Sequence, residues 1–177
     1  SGEGNGSASI GEYNFSISVG QPTFSNATAS YTGPAVTIPD GNTAGVNVPL
    51  TVSGVTGQIE DLNFRIDGTT CNSATTVGIN HTFVSDLSAT VRSPLGTARN
   101  LFQFVGGGGD NFCQTVLDDQ ATNSIQSVTS ANAPFTGTFR PNRVLRLFRG
   151  ENPNGVWTLN VTDFVSADGG SVRAFSL

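Results

Sequence analysis

Short runs rich in β-branched and aromatic residues recur about every ten residues from Pro34 to the end of the chain. The runs are VNVPLTVSG, IEDLNFRID, TTVGINHTF, LSATVRSP, RNLFQFVG, FTGTFRP, VWTLNVTD and SVRAFSL, and turn sequences such as SPLGT, NPNG and ADGG separate them. This spacing is typical of an all-β sandwich or jelly roll, and no window has a convincing helical period. We therefore predict an all-β fold.

The chain has 177 residues, which is about the length of one domain. Residues 1–9 are rich in Gly and Ser, and we expect a flexible leader or a remnant of cloning. In residues 10–33 Asn and Ser interrupt the apolar alternation, which indicates a linker or an edge strand. The predicted sandwich domain therefore spans residues 34–177.

Charge and hydrophobicity exclude several functions. A net charge of −5 argues against binding to nucleic acid, which requires clustered positive charge. The sequence contains no apolar run of about 20 residues, which is the length needed to cross a bilayer. The chain contains no methionine, so we expect a mature form or an excised domain, secreted or at the cell surface, and monomeric in isolation.

The only histidine lies in the stretch NHTFVSDL, with a serine and an aspartate close behind it. Strand alternation places His81 on the same face as Val77, Ile79 and Phe83, so a buried, neutral imidazole satisfied by a backbone carbonyl or a carboxylate is one interpretation. The other is a catalytic base. A serine hydrolase also needs a nucleophile at a sharp exposed turn, and no G-x-S-x-G is present.

Two further features each have a structural and a functional interpretation. Trp157 alternates with Leu159 and Val161 and so is predicted to face the core, although an exposed tryptophan would instead suggest a carbohydrate-binding module. A local basic series indicates either a solvated face or a contact with an acidic partner surface such as a catalytic domain. The series is Arg140, Arg143, Arg146 and Arg149.

The chain has two cysteines, Cys71 and Cys113, both in stretches rich in Gly, Asn and Thr. An even pair in a chain that we expect to be extracellular predicts a disulfide, and two free thiols are the alternative.

The segment GGGGDNFCQTVLDD places Asp110, Asp118 and Asp119 within ten residues of a Gly-rich turn. Calcium favours such groups of carboxylate and carbonyl oxygens. The segment matches neither the EF-hand nor the nonapeptide calcium repeat, and a solvated acidic loop is the alternative.

An ordered set of segments resembles a known family. INHTFVSDLSATVRSPLGT, GGGGDNFCQTVLDDQA, APFTGTFRP and LFRGENPNGVWTLNVTDFVSADGGSVRAFSL are similar to the P domain, or Homo B domain, of kexin- and furin-like proprotein convertases, especially the versions attached to secreted bacterial proteases. The resemblance begins near Ala29 and continues to Leu177. Neither Cys71 nor Cys113 belongs to the pattern that defines the family.

The resemblance implies a jelly-roll sandwich of eight or nine strands with no active site of its own. It also implies a neighbouring subtilisin-like catalytic domain, in the same parent chain, that the sandwich helps to fold and stabilise. His81 and Asp86 would belong to the framework, and we expect Asp86 to cap the turn or to accept a hydrogen bond from His81. Because P domains are often calcium-dependent, Glu151 and Asp86 join the candidate calcium ligands. A carbohydrate- or matrix-binding module, or an adhesion spacer, is the alternative function.

Overall fold

The computed structural model describes residues 23–177, and the predicted leader at 1–9 therefore lies outside the described residues. The described part is an all-β sandwich, which confirms the predicted fold class. Its eleven strands are β1 (Val36–Ile38), β2 (Val46–Val52), β3 (Phe64–Ile66), β4 (Ile79–His81), β5 (Leu87–Arg92), β6 (Ala98–Gln103), β7 (Thr115–Leu117), β8 (Gly137–Phe139), β9 (Gly155–Asp163), β10 (Gly170–Val172) and β11 (Phe175–Ser176).

The strands form three sheets. The largest sheet has the order β2-β9-β5-β6 and is antiparallel throughout. The second sheet has the order β1-β10-β4, and the third has the order β11-β3-β7-β8, in which β7 and β8 are parallel. The strand number exceeds the predicted eight or nine because seven of the strands are only two or three residues long.

Alternation along the long strands produces the core. In β2 the side chains of Val48, Leu50 and Val52 are buried while those between them are exposed. In β9 the same alternation buries Trp157 and Leu159. Because successive side chains in a strand point to opposite faces, one face of this sheet packs inward. The buried side chains of all three sheets meet in one hydrophobic cluster.

Residues near the start of the described chain lie at the edge of the sheet that contains β11. Ala29 and Leu177 exchange two backbone hydrogen bonds of 3.0 and 2.9 Å, and the Tyr31 amide donates to the Phe175 carbonyl at 2.8 Å. The Tyr31 ring stacks on the Phe175 ring with centroids 5.2 Å apart. Residues 29–31 therefore extend the sheet next to β11. The earlier part of the predicted linker or edge strand, residues 10–22, is outside the described residues.

Four 3₁₀ turns connect strands in the described chain: Val84–Asp86, Ile125–Ser127, Ser130–Asn132 and Leu145–Phe148. The first of them changes one prediction. Phe83 was expected on the buried face with Ile79 and His81, but it is 39% exposed. The strand ends at His81, and Phe83 has φ −151° and ψ 85° as the chain enters the turn, so the alternation stops there.

A disulfide joins Cys71 to Cys113, which are 42 residues apart in sequence. Closing a loop of this length reduces the entropy of the unfolded chain, so its reduction should lower the free energy of unfolding by about 3–4 kcal/mol. We expect mass spectrometry to find no alkylatable thiol before reduction, and a thermal melt to shift down by roughly 10 °C after it. Two thiols that alkylate without reductant would contradict the pairing.

Candidate functional site

His81 is the last residue of β4 and is completely buried. Its Nε2 lies 3.2 Å from Oδ2 of Asp163, which is also completely buried at the end of β9. Its Nδ1 lies 3.0 Å from the Phe83 carbonyl oxygen and 3.2 Å from the Phe83 amide nitrogen. Both ring nitrogens therefore have partners within the protein.

This arrangement satisfies the imidazole in either protonation state. A carboxylate only accepts hydrogen bonds, so the Nε2 of His81 carries the hydrogen that faces Asp163. In the neutral ring, Nδ1 accepts from the Phe83 amide. In the protonated ring, Nδ1 donates instead to the Phe83 carbonyl, and no buried polar atom of the ring loses its partner.

The close approach of β10 completes the enclosure. Gly170 pairs with His81 across the sheet, and a Cβ at Gly170 would collide with the Asn80 carbonyl and the His81 ring. Only glycine fits at position 170, because any side chain would overlap these atoms. With the ring sealed and both nitrogens engaged, His81 has no access to a substrate and cannot act as a general base. Among residues 23–177, no serine hydroxyl bonds to its ring.

Asp86 was predicted to cap the turn or to accept from His81, and the structure shows neither contact. Asp163 is the carboxylate that accepts from His81, and no side chain caps the turn Val84–Asp86. Asp163 continues the buried series of Trp157, Leu159 and Val161 along β9. An aspartate on a core face needs a polar partner. This periodicity was visible in the sequence, and it could have identified Asp163 as a buried carboxylate that needs a partner.

Asp86 belongs to the 3₁₀ turn Val84–Asp86 and is 8% exposed. Its amide donates to the Phe83 carbonyl, and its carbonyl accepts from the Phe164 amide at 2.9 Å. Burial raises the pKa of the Asp86 carboxyl above its usual 3.8, and the charges of Asp163 and Asp168 raise this pKa further, while His81 opposes the shift. Asp86 therefore takes part in the turn through its backbone amide and carbonyl. Its ionised carboxylate lowers the stability of the fold, because burial and the neighbouring carboxylates disfavour the charge.

Apolar side chains are exposed immediately above this buried pair. We call Phe83, Phe104, Phe164 and Val165 the aromatic surface, and they are 39%, 54%, 43% and 53% exposed, respectively. The rings of Phe104 and Phe164 pack edge to face with centroids 5.0 Å apart. Asp163 supports this surface directly, since its Oδ1 accepts from the Val165 amide at 3.1 Å.

The candidate calcium ligands do not meet. Asp119 accepts from the amides of Leu145 and Arg146, Asp118 accepts from the Gln120 amide, and Glu151 accepts from the Thr97 hydroxyl. Asp110 is exposed and lines a pocket near Cys71. In the described part of the chain, no three His, Cys, Asp or Glu side chains form a group that could hold a metal ion.

Trp157 is 1% exposed and lies in the core. Its indole Nε1 donates to the Pro153 carbonyl at 2.8 Å, and its ring packs edge to face on Phe148 at 5.1 Å. The tryptophan therefore offers no exposed platform for a sugar ring.

The arginine series runs from Arg140, directly after β8, to Arg149, directly after the 3₁₀ turn Leu145–Phe148, and all four side chains are exposed. Arg149 forms an ion pair with Glu60 at 2.6 Å. Asp119 fixes the start of the same turn by accepting its first two amides. The arginines, spaced three residues apart, thus lie in this turn and in the segments on either side of it. This arrangement presents the four arginines, Arg140, Arg143, Arg146 and Arg149, to solvent.

Comparisons with known proteins identify the family. Residues 72–177 match the family described as the proprotein convertase P-domain. Leupeptin-inactivating enzyme 1 of Streptomyces exfoliatus is 30% identical over 142 residues, which cover 80% of this chain and 24% of that protein. The chain thus spans about a quarter of the length of this curated relative. An Aeromonas sobria serine protease, solved in complex with its chaperone, aligns with 17% identity and a TM-score of 0.46, covering 85% of this chain and 25% of that one.

The described residues therefore form an all-β sandwich, and residues 72–177 of it match a known domain family. The chain belongs to the proprotein convertase P-domain family, as its sequence motifs predicted. No helix in residues 23–177 is long and apolar enough to cross a membrane.

Replacing Asp163 with alanine should destabilise the chain by about 2–4 kcal/mol, because the buried Nε2 hydrogen of His81 then has no acceptor. Urea unfolding of D163A, H81A and the double variant measures this as a double-mutant cycle. We expect a coupling of at least about 1 kcal/mol between the two sites. Asp168→Ala, in the loop that follows, is the control and should cost less. Additive effects of D163A and H81A would contradict the pair.

Asp86→Asn should stabilise the chain at neutral pH. The raised pKa means that the folded state holds a proton after the unfolded state has lost it, so the stability of the wild type falls as pH rises through that window above 3.8. Asparagine removes the charge. Thermal melts between about pH 3 and pH 8 should show a D86N advantage at high pH that disappears at the acid end. A wild type that is more stable than D86N at pH 7 would contradict this.

Proposed function

We propose that this chain is the non-catalytic accessory domain of a secreted subtilisin-like serine endopeptidase, and that it stabilises the catalytic domain of the same parent protein. The match of residues 72–177 to the P-domain family carries the proposal. The Streptomyces relative is named for inactivating leupeptin, and this chain corresponds to only 24% of it. We therefore assign any catalytic step of the parent protein to residues outside this chain.

The site geometry supports a structural role. His81 is enclosed and engaged at both nitrogens, so it serves to hold β4, β9 and the turn after β4 together. The disulfide between Cys71 and Cys113 agrees with an oxidising, extracellular environment. A carbohydrate-binding role has less support, because Trp157 is buried and the exposed rings of Phe104 and Phe164 meet at 72° and do not form a flat platform.

Deleting residues 23–177 from the parent protein tests the proposal. We expect the truncated protein to lose thermal stability of its peptidase activity, or to fold poorly, because it loses a domain that binds its folded state. The isolated chain should hydrolyse neither peptides nor esters. A truncated protein that folds and inactivates at the same temperature as the intact one would overturn the stabilising role, and turnover by the isolated chain that H81A abolishes would overturn the non-catalytic one.

Calcium binding is a further part of the proposal, although Asp86, Asp110, Asp118, Asp119 and Glu151 do not form one group. The Gly-rich loop that ends at the exposed Asp110 supports calcium binding, because calcium is coordinated by backbone carbonyl oxygens as well as by carboxylates. The side chains of Asp118, Asp119 and Glu151 already accept hydrogen bonds within the domain.

A melt in millimolar calcium should therefore have a higher midpoint than a melt in chelator, since an ion that binds only the folded state stabilises it by mass action. Asp110→Asn should reduce this difference. Asp61→Asn, at an exposed carboxylate outside this loop, is the control. Equal midpoints in calcium and chelator would remove calcium from the proposal.

A further inference from the structure

One residue of the aromatic surface, Phe104, is held in a backbone conformation that its residue type disfavours. Phe104 has φ +53°, in the left-handed region that a non-glycine residue seldom adopts. The GGGG sequence that could adopt this conformation freely begins only two residues later. The chain thus keeps a phenylalanine, 54% exposed, at a position where glycine would relieve the backbone strain. Strain that displays an exposed aromatic ring indicates a function for that ring.

The backbone beneath the surface is fixed by the same elements that enclose His81. The amide of Phe104 donates to the Leu87 carbonyl at 2.9 Å, and the amide of Phe164 donates to the Asp86 carbonyl at 2.9 Å. Asp163 binds the Val165 amide with one carboxylate oxygen and His81 with the other. Hydrogen bonds therefore fix the backbone that carries Phe104, Phe164 and Val165, which lowers the entropic cost of docking.

Three carboxylates lie close to this surface. Asp86 lies in the turn below it, Asp168 accepts from Thr82 at 2.7 Å, and Asp40 accepts from the Ala167 amide at 3.1 Å. Arg149 lies elsewhere, since it pairs with Glu60 and its neighbour Gly150 bonds to Ile59. A complementary partner would present an apolar surface bordered by Arg or Lys.

The size of the surface selects the kind of partner. Phe83, Phe104 and Phe164 expose 39%, 54% and 43% of their surface, which gives roughly 300 Å² at about 200 Å² for each aromatic residue. A stable interface between separate proteins buries about 800 Å² on each partner. These three rings alone supply less than half of that area, which favours a tethered partner over a separate protein or a second copy of this chain. The patch is large enough as the centre of a contact with a tethered domain, whose effective concentration is millimolar.

We propose that the aromatic surface is the face by which this chain docks on the catalytic domain of its parent protease, against an apolar surface bordered by basic side chains. This inference rests on the proposed function, because it takes the partner from there. It adds the docking residues and the chemistry of the surface that receives them.

Two matched pairs of variants in the intact parent protein test the docking surface. Phe104→Asn removes the ring and suits the left-handed backbone, and Leu147→Asn changes a residue of equal exposure, 54%, on the turn Leu145–Phe148. Val165→Lys adds a positive charge toward the expected basic border, and Val156→Lys adds it on β9 at nearly equal exposure, 52% against 53%.

The readout is the rate of thermal inactivation of peptidase activity. We expect F104N and V165K each to accelerate inactivation about tenfold, as loss of an interface hot spot does, while L147N and V156K change it less than about twofold. Melts of the 177-residue chain alone serve as a folding control, and F104N should melt no lower than the wild type there.

Each remaining outcome decides between the two proposals. If deletion of residues 23–177 leaves inactivation unchanged, the proposed function fails, and the docking surface fails with it. If deletion accelerates inactivation but F104N and V165K behave like L147N and V156K, the stabilising role stands and the docking surface is wrong.

Discussion

The contact between His81 and Asp163 joins parts of the chain that are 82 residues apart, and both side chains are completely buried. A buried polar pair of this kind tolerates few alternative packings, because a shift of either strand leaves a desolvated group without a partner. It therefore sets how the end of β4 meets the end of β9. Gly170 gives the third strand, β10, the close approach that the ring requires.

The same residue types form catalytic dyads elsewhere, and solvent access makes the difference here. A general base must present one ring nitrogen to a substrate. In His81 one nitrogen faces Asp163, and the other faces the backbone of Phe83 two residues away. The local turn thus uses the nitrogen that a substrate would need. The pair of His81 and Asp163 can therefore only position the backbone segments that carry it.

Features that depend on residues close in sequence were predictable, and contacts between residues far apart in sequence were not. Strand alternation places Trp157 and Leu159 in the core because neighbours along one strand decide their direction. It fails at Phe83, where a turn ends the strand after His81. The partner of His81 depends on the pairing of distant strands. The family resemblance suggested Asp86, five residues away, as a partner, whereas the fold selects Asp163.

The carboxylates show a second limit of sequence patterns. Asp118 and Asp119 are adjacent to a Gly-rich segment, as calcium ligands often are, but proximity in sequence does not leave an oxygen free. Asp119 accepts from the two amides that begin the turn Leu145–Phe148. Amides at such a turn need acceptors because they have none within it. That local demand could be inferred only once the turn itself was known.

The buried pair and the exposed surface are connected by one set of hydrogen bonds, so folding and docking cannot be independent. Asp163 orders Val165, and Asp86 orders Phe164, only when the ends of β4 and β9 are correctly packed. A partner that binds the ordered surface must therefore stabilise the packed core by the free energy of docking. Linkage is reciprocal, so the folded domain stabilises the docked form of its partner by the same amount. In the proposed docking, the fit of a few aromatic side chains would in this way couple the stability of this domain to that of its parent enzyme.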